Sequence, residues 1–450
     1  MPTATAPAGA PLSFADLGVP EALAGALRRG GITSPFSIQT ATLPDALAGR
    51  DLSGRAPTGS GKTLAFGLPL LARLGRARPG RPRALVLVPT RELASQVSAE
   101  LAALARSVDR TVLAVYGGVG MEGQRRVLRR GADVIVATPG RLTDLVNRRD
   151  IDLGDVDIVV IDEADRMADM GFLPEVRRLL DATRSDRQTL LFSATLDGEV
   201  DVLVRHYQRD PVRHELAPTS PAADNTHVFW RVERTDRVTT LGRVIDRFQP
   251  TIVFCRTKRG ADRLSRQLNQ LGLRTAAIHG DRSQSQRERA LADFSNGRTD
   301  ALVATDVAAR GIHVDAVACV VHYDPPGSAK DYTHRSGRTG RAGARGLVLS
   351  LVPGELARDT ARMRKELALP GALVTPDLQA LSDVAPPAAP RRQPVAVTTS
   401  TPATDAAPSS ARRHSRRPTS SGGQGRPRGQ GARTNGAPSG GGQPRRRPRR

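Results

Sequence analysis

Short apolar runs recur along this chain, and a small polar motif follows each of them. In the first half of the chain, these runs occupy residues 84–88, 111–115, 133–137, 156–161 and 189–192. Apolar runs of this length are typical of buried strands in a parallel sheet with helices on both faces. We therefore predict an open α/β sheet whose polar motifs lie at the carboxyl ends of the strands, where such sheets bind their ligands. Residues 20–29 carry apolar side chains at helical spacing, which predicts a helix that ends at Gly30.

The second half of the chain repeats this pattern. The sequence DVIVAT at 133–138 is echoed by DALVAT at 300–305, and Thr90 is echoed by Thr257, each 167 residues apart (305 − 138 and 257 − 90). Chance similarity between apolar strands is the alternative, but two echoes with one offset favour tandem copies of one domain. We predict a disordered N-terminus (1–11), a first domain (12–216), a linker (217–225), a second domain (226–381) and a disordered tail rich in Arg, Gly, Pro and Ser (382–450).

The formal net charge of +22 indicates a polyanionic partner, most often a nucleic acid. Much of this charge lies in the tail, where residues 384–450 hold fourteen arginines and a single acid, Asp405. The two cysteines, Cys255 and Cys319, lie within apolar runs, which predicts buried thiols in a reducing compartment. No apolar run approaches the length of a membrane span and no charged-then-apolar leader begins the sequence, so we expect a cytoplasmic protein without a membrane partner.

Residues 56–63 (APTGSGKT) are the strongest candidate site in the chain. Glycines in such a loop let backbone N–H groups surround an anion, and the positive end of the following helix points at the same place. Lys62 would then reach the β- and γ-phosphates of a nucleotide, and the Thr63 hydroxyl would hold Mg²⁺. A solvated turn is the alternative, but only four of the 67 cationic residues are lysine, so a lysine here favours nucleotide binding. The predicted nucleotide contacts in this loop are Ala56, Pro57, Thr58, Gly59, Ser60, Gly61, Lys62 and Thr63.

An acidic pair follows the apolar run at 156–161. A buried strand that ends at Asp162 would deliver its carboxylate to Mg²⁺, mostly through phosphates and water, and Glu163 could polarise the attacking water. An acidic pair after a strand is more often a helix cap. The phosphate loop about a hundred residues upstream favours the catalytic interpretation.

The sequence resembles the DEAD-box RNA helicases, because Asp162-Glu163-Ala164-Asp165 matches that family's signature and its other motifs appear in the family's order. The resemblance covers about residues 14–369. It implies two tandem RecA-like parallel-sheet domains of the α/β class with a cleft between them. It also implies ATP and Mg²⁺ as cofactors and RNA as the partner.

The resemblance implies further nucleotide contacts. Gln39 ends a segment (31–39) similar to the adenine-reading motif, and Phe14 matches an isolated aromatic upstream of it, although a simple core contact would also explain Phe14. Arg338 and Arg341, in the string HRSGRTGR, match the arginine fingers that stabilise transition-state charge. The implied catalytic residues are thus Lys62, Asp162, Glu163, Arg338 and Arg341, and the implied coupling residues are Asp165, Ser193, Thr195 and His334.

One position departs from the family. After Gly311 and Ile312 this chain has His313, where the family usually has an aspartate that is expected to meet the ATP ribose. Imidazole can still hydrogen-bond a hydroxyl, but it is bulkier and loses the negative charge. We expect weaker nucleotide binding rather than lost activity, with Gly311 and His313 still among the nucleotide contacts and Asp315 as a nearby substitute.

The resemblance also implies RNA contacts on both domains. Hydroxyls, exposed N–H groups and arginines bind phosphates without reading bases, and some of them could sense the ribose 2′-OH. Aromatic residues make up only 3% of the chain, so platforms for base stacking are scarce and sequence-independent binding of single strands and short duplexes is expected. The implied contacts are Pro89, Thr90, Arg91, Gly117, Gly118, Thr138, Pro139, Gly140 and Arg141 on the first domain, and Arg256, Thr257, Gln284, Arg287 and Thr305 on the second.

The sequence therefore predicts an ATP-dependent RNA helicase that unwinds duplexes locally and non-processively and remodels RNA or RNA–protein complexes. An ATP-gated RNA clamp or annealing chaperone is an alternative, because it would share the same motifs. A non-enzymatic RNA-binding scaffold is the least favoured interpretation, since the catalytic residues are intact. The arginine-rich tail could tether RNA electrostatically or be a solvated end without a specific role. Ribosomal and RNA-degradation assemblies both fit as further partners.

Overall fold

A computed structural model of the chain describes residues 12–56, 60–215, 225–309, 317–340 and 346–381. The predicted disordered N-terminus, most of the predicted linker and the arginine-rich tail lie outside these residues. Among the helices in the described part of the chain, none is long and apolar enough to cross a membrane.

The first sheet has seven parallel strands, β1 (Leu52–Arg55), β2 (Ala84–Leu87), β3 (Val112–Val115), β4 (Val134–Ala137), β5 (Ile158–Asp162), β6 (Gln188–Ser193) and β7 (Val212–Glu215). Their order across the sheet is β3-β4-β2-β5-β6-β1-β7. The accompanying helices are α1 (Glu21–Arg29), α2 (Ser37–Leu47), α3 (Lys62–Arg73), α4 (Arg91–Ala105), α5 (Met121–Arg130), α6 (Pro139–Asn147), α7 (Ala164–Asp169), α8 (Leu173–Asp181) and α9 (Glu199–Tyr207).

The second sheet also has seven parallel strands, β8 (Thr226–Arg231), β9 (Thr251–Cys255), β10 (Thr275–Ile278), β11 (Ala301–Thr305), β12 (Cys319–His322), β13 (Leu347–Val352) and β14 (Leu373–Val374). Their order is β10-β11-β9-β12-β13-β8-β14. The accompanying helices are α10 (Arg237–Arg247), α11 (Lys258–Gln270), α12 (Gln284–Ser295), α13 (Asp306–Ala309), α14 (Ala329–Ser336) and α15 (Ala357–Glu366).

The two sheets share one strand order, which confirms tandem copies of a RecA-like α/β domain. The strands β4 and β11 begin at Val134 and Ala301, which are 167 residues apart (301 − 134). The five apolar runs of the first half are β2 to β6, as predicted, whereas the apolar pattern misses β1 and β7. The short strand β1 lacks an apolar run because it packs through Gly54, where an added Cβ would lie 2.6 Å from the Phe192 ring. Edge strand β7 alternates between partly buried and exposed positions.

The first sheet is buried on both faces. Along β2, residues 84 and 86 pack in one hydrophobic cluster, and residues 85 and 87 pack in another. Because successive side chains point to opposite faces of a sheet, a strand covered on both sides needs a continuous apolar run. Burial of each large aliphatic side chain contributes about 1.5–3 kcal/mol, so these strands form the fixed platform of the domain. The polar motifs then lie together at the carboxyl edge.

The cysteines lie in neighbouring strands of the second sheet, Cys255 in β9 and Cys319 in β12. Both are free and buried, which confirms the predicted buried thiols. Burial raises the pKa of both thiols, so they stay protonated at neutral pH.

The second domain also buries a neutral histidine, His322 of β12. Its Nδ1 lies 3.1 Å from Ser350 Oγ, and its ring meets the Tyr332 ring edge-on with centroids 4.8 Å apart. Burial, followed by the charges of Arg335 and His227, holds the pKa of His322 well below its usual value. The folded domain therefore resists protonation of this ring.

We expect acid to destabilise the second domain through His322. Because the pKa of His322 is lower in the folded chain, the unfolded chain binds the proton first, and stability falls below the unfolded pKa of about 6.5. The free energy of unfolding should fall by roughly 1.4 kcal/mol by pH 5.5, and His322→Asn should remove this fall. Urea unfolding can be followed by fluorescence of Trp230, the chain's single tryptophan, which is buried in β8. Equal pH dependence in His322→Asn and in the exposed control His206→Asn would contradict this assignment.

Candidate functional site

The phosphate loop leads directly into α3. Gly61 precedes the helix with a φ of 86°, in the left-handed region that favours glycine. A Cβ at Gly61 would lie 2.5 Å from both Gln39 Nε2 and Phe36 Cδ2, so a larger residue would have to displace these side chains. Lys62 is buried, and its Nζ donates a hydrogen bond of 3.1 Å to the Ala56 carbonyl across the loop. Ser60 is half-buried, whereas Pro57, Thr58 and Gly59 lie outside the described residues.

Gln39 connects the segment before α2 to the phosphate loop. Its Oε1 accepts a hydrogen bond of 2.8 Å from the Phe36 N–H, and its Nε2 donates one of 2.9 Å to the Gly61 carbonyl. A primary amide has two donors and two acceptor sites, so Gln39 retains one of each for a base. Phe14 is 3% exposed and packs in the hydrophobic core, where a core contact accounts for its burial. Its role in nucleotide binding stays a prediction.

Strand β5 places two carboxylates at its carboxyl end. Asp162 and Glu163 are both buried. Burial raises the pKa of Asp162 to about 6, while the Lys62 charge opposes the rise and the Glu163 charge adds to it. Glu163 has a φ of 53°, which is uncommon for a residue other than glycine and typical of functional sites. The phosphate loop and the acidic pair thus interact at one edge of the sheet, as the sequence predicts.

Arg166 belongs to this site, although none of the sequence motifs assigns it a role. Its Nη1 lies 2.5 Å from Glu163 Oε2, and the two side chains are 5% and 6% exposed. Arg166 follows Glu163 by three residues, the spacing that brings side chains together on a helix, and this spacing is the signal that could have found it. The ion pair holds the Glu163 carboxylate in one orientation.

Oxygen atoms near the loop suit Mg²⁺, which prefers carboxylate, hydroxyl and water ligands. Asp162 supplies a buried carboxylate whose charge interacts with Lys62. The Thr63 side chain lies near the Glu100 carboxyl of α4, and burial raises the pKa of Glu100. The donor set therefore fits the metal, and Glu100 is an acidic neighbour of Thr63 that no sequence motif reveals.

Ser193 joins the phosphate loop to the acidic motif. Its carbonyl accepts a hydrogen bond of 3.1 Å from the Ala56 N–H, and its hydroxyl accepts one of 3.2 Å from the Asp165 N–H. Two of the predicted coupling residues, Asp165 and Ser193, are therefore in direct contact. Thr195 is half-buried two residues further along the chain. A movement of the phosphate loop would therefore be transmitted to the acidic motif through Ser193.

Predicted RNA-binding motifs of the first domain lie together. The Arg91 guanidinium covers Gly118, where an added Cβ would lie 2.1 Å from Nη1. Arg141 Nη1 donates hydrogen bonds of 3.3 Å to the Val119 carbonyl and 3.2 Å to Gln124 Oε1. The loops after β2, β3 and β4 thus form one surface. The other predicted contacts on these loops are Pro89, Gly117, Thr138, Pro139 and Gly140.

Thr90 and Thr257 have equivalent positions in the two domains. The Thr90 hydroxyl accepts a hydrogen bond of 3.3 Å from the Leu93 N–H, and the Thr257 hydroxyl accepts one of 3.0 Å from the Gly260 N–H. Each threonine therefore caps the helix that follows it. Helix N-termini favour anions, so both motifs lie where a phosphate can bind. Arg256 is exposed beside Thr257.

A buried ion pair joins the two domains. Arg287 of α12 lies 2.9 Å from Glu92 of α4, and these side chains are 9% and 4% exposed. Gln284 Nε2 donates a hydrogen bond of 3.3 Å to the second carboxylate oxygen, Glu92 Oε1. Among the described residues, Arg287 Nε and Gln284 Oε1 are buried without a hydrogen-bond partner. A buried polar atom without a hydrogen-bond partner lowers the stability of the folded state. A ligand that hydrogen-bonds these two atoms would therefore bind favourably.

The predicted arginine finger Arg338 lies two residues beyond the end of α14. It is buried, and its Nε donates a hydrogen bond of 3.4 Å to the His334 carbonyl. Arg335 holds the Asp306 carboxylate through two bonds of 2.6 and 2.8 Å, which fixes α14 against the segment that follows Thr305. The other predicted nucleotide contacts of this domain lie outside the described residues, namely Gly311, His313 and Arg341.

Comparison with known proteins identifies the family. Residues 36–203 match the DEAD/DEAH box helicase family, and residues 236–343 match the helicase conserved C-terminal domain. DEAD-box ATP-dependent RNA helicase 20 of Arabidopsis thaliana is 38% identical over 385 residues, which cover 83% of this chain and 77% of that protein. This chain belongs to the DEAD-box helicase family. The resemblance in the sequence motifs is thereby confirmed.

Further DEAD-box proteins are similar over most of the chain. DEAD-box ATP-dependent RNA helicase 30 of Arabidopsis thaliana is 42% identical over 377 residues, which cover 82% of this chain and 64% of that protein. This chain therefore spans less than two thirds of that relative. The structure of Saccharomyces cerevisiae Dbp5 bound to RNA and ADP BeF3 matches with a TM-score of 0.73 at 29% identity, covering 81% of this chain and 95% of Dbp5. That similarity supports the tandem RecA-like fold.

Removal of the Arg166 side chain should destabilise the first domain of this DEAD-box protein. Arg166→Ala removes the buried positive charge that pairs with Glu163, and breaking a buried ion pair typically costs about 3–5 kcal/mol. Glu163→Gln removes the charge, so the double variant should recover part of the loss. Urea unfolding followed by far-ultraviolet circular dichroism measures both effects, with the exposed Arg178→Ala as the matched control. Equal losses for Arg166→Ala with and without Glu163→Gln would contradict the pairing.

Proposed function

We propose that this DEAD-box protein is an ATP-dependent RNA helicase that unwinds short duplexes locally and remodels RNA or RNA–protein complexes. The observation that carries the proposal is the buried contact of Glu92 with Arg287 and Gln284. It joins a domain with a phosphate loop and an acidic pair to a domain with an arginine motif. Each domain alone holds only part of the chemistry that ATP hydrolysis requires.

The first domain would bind the triphosphate. Lys62 exchanges its Ala56 carbonyl partner for the β- and γ-phosphates, which offer it a full negative charge. Glu163, oriented by Arg166, accepts a proton from the attacking water. When Mg²⁺ is bound by Asp162 and Thr63, mostly through phosphates and water, it neutralises phosphate charge.

The second domain would complete the site. Arg338 and Arg341 add positive charge beside the γ-phosphate, where charge develops in the transition state. The Arg335–Asp306 bonds hold the helix that leads to these arginines. Gln39 offers its remaining donor and acceptor to the adenine edge, and Gly311 and His313 contact the ribose.

RNA would bind across the carboxyl edges of both sheets. Arg91, Arg141 and the capped helices after Thr90 and Thr257 supply positive charge and N–H groups to phosphates without reading bases. A bound strand could also satisfy Arg287 Nε at the junction of the domains. We propose single strands and short duplexes as substrates, with ribosomal and RNA-degradation assemblies as candidate partners.

Closure and reopening would couple the two ligands. ATP on the first domain and RNA on both favour the arrangement in which Glu92 meets Arg287, and this arrangement bends one strand away from its complement. Hydrolysis reopens the domains, with the signal carried through the contact between Ser193 and Asp165. The similar proteins support this pairing of ligands, since the relatives are ATP-dependent RNA helicases and the Dbp5 structure holds RNA and ADP BeF3.

Glu163→Gln tests the proposed chemistry. The variant should bind ATP about as tightly as the wild type, because the amide keeps the shape of the side chain. RNA-stimulated turnover should fall at least about a hundredfold, because the general base is lost. Both quantities can be measured with the full chain, and the exposed Glu199→Gln is the matched control.

Displacement of a strand from a short RNA duplex distinguishes the alternatives. The wild type should separate the duplex with ATP, and Glu163→Gln should not do so over repeated cycles. ATP-dependent RNA retention without strand displacement would show a clamp or annealing chaperone instead. Wild-type turnover that RNA does not stimulate would contradict the proposal and favour a scaffold.

A further inference from the structure

A second contact between the domains joins the helices beside the proposed catalytic residues. Lys330 Nζ of α14 lies 2.6 Å from Asp169 Oδ1 of α7. Asp169 is the last residue of the helix that begins next to Glu163. Lys330 lies in the first turn of the helix that leads to Arg338. The pair therefore connects the acidic half of the site to its arginine half.

Neither charge is placed to stabilise its own helix. Anions are unfavourable near a helix C-terminus, and cations are unfavourable near a helix N-terminus. Asp169 lies at the C-terminus of α7, and Lys330 lies near the N-terminus of α14. Across the interface the same charges attract each other, and each also complements the dipole of the other helix. The contact between Asp169 and Lys330 therefore offsets both unfavourable placements when the domains are together.

This pair differs from the Glu92–Arg287 pair in its exposure to solvent. The Lys330 and Asp169 side chains are 48% and 26% exposed, against 9% and 4% for Arg287 and Glu92. Exposed pairs are weak and are screened by salt, whereas buried pairs are screened much less. The exposed pair can thus adjust closure without determining whether the domains fit together.

We propose that Lys330 and Asp169 are positioning residues that favour the closed arrangement and so set the RNA concentration at which ATP turnover is half-maximal. This inference rests on the proposed function. In this proposal the pair acts through α7 and α14, the helices that carry it, and not by contact with ATP or RNA. It therefore changes the closing equilibrium and leaves the rate of the chemical step unaltered once RNA saturates the protein.

Charge reversal and charge exchange in the full chain test the pair. Lys330→Asp should raise the RNA concentration for half-maximal ATPase about three- to tenfold, because it replaces attraction with repulsion. Turnover at saturating RNA should stay within about twofold of the wild type. The exchange variant, which combines Asp169→Lys with Lys330→Asp, should bring the RNA concentration for half-maximal ATPase back towards the wild-type value. The difference between Lys330→Asp and wild type should shrink as salt is raised.

Lys365→Asp is the matched control. Lys365 is exposed on α15, so its reversal makes the same change in net charge without touching the interface. A half-maximal RNA concentration that rises as much in Lys365→Asp as in Lys330→Asp would overturn the inference. An exchange variant no better than Lys330→Asp would also overturn it. Loss of RNA stimulation in the wild type would instead overturn the proposed function.

Discussion

Charges buried between two domains are unfavourable unless they meet opposite charges, and this constraint governs how the two sheets fit together. Glu92 and Arg287 come from different domains and are almost entirely buried at their contact. Such a pair adds little net stability, because desolvation opposes the attraction. A misaligned approach would leave both charges buried and unpaired, which is strongly unfavourable. Together with Gln284, the pair therefore selects one relative placement of the two domains, and it does not supply the free energy that brings them together.

That placement of the domains connects the proposed nucleotide site to the proposed RNA surface. Glu92 lies in the first turn of α4, next to Arg91, whose guanidinium covers Gly118 on the proposed RNA surface. On the same sheet edge, Ser193 contacts both the phosphate loop and the acidic motif. The acidic motif leads into α7, whose Asp169 contacts Lys330 of the second domain, so a ligand at either site acts on an element that also contacts the other domain. Energy for closure can come from both ligands, which is the requirement for coupling between them.

The fold, and the placement of the phosphate loop beside the acidic pair, could be predicted largely from the sequence, because both follow from local patterns. Strands buried on two faces require continuous apolar runs, and the motifs follow those strands. Strand β1 could not be predicted in this way, because the Phe192 ring packs against Gly54, which has no side chain. Glu92, Lys330 and Asp169 were equally hidden, because their roles arise from contacts between residues far apart in the chain. Arg166 had a local signal in its helical spacing from the acidic pair.

Closure of the two domains should couple the nucleotide site to RNA. The most direct test compares the affinity of the full chain for a single-stranded RNA in ADP·BeF₃ with its affinity in ADP, for the wild type and for Glu92→Ala. We expect at least about fivefold tighter RNA binding with ADP·BeF₃ in the wild type and loss of most of that gain in Glu92→Ala. Equal RNA affinity with the two nucleotides in the wild type would contradict it.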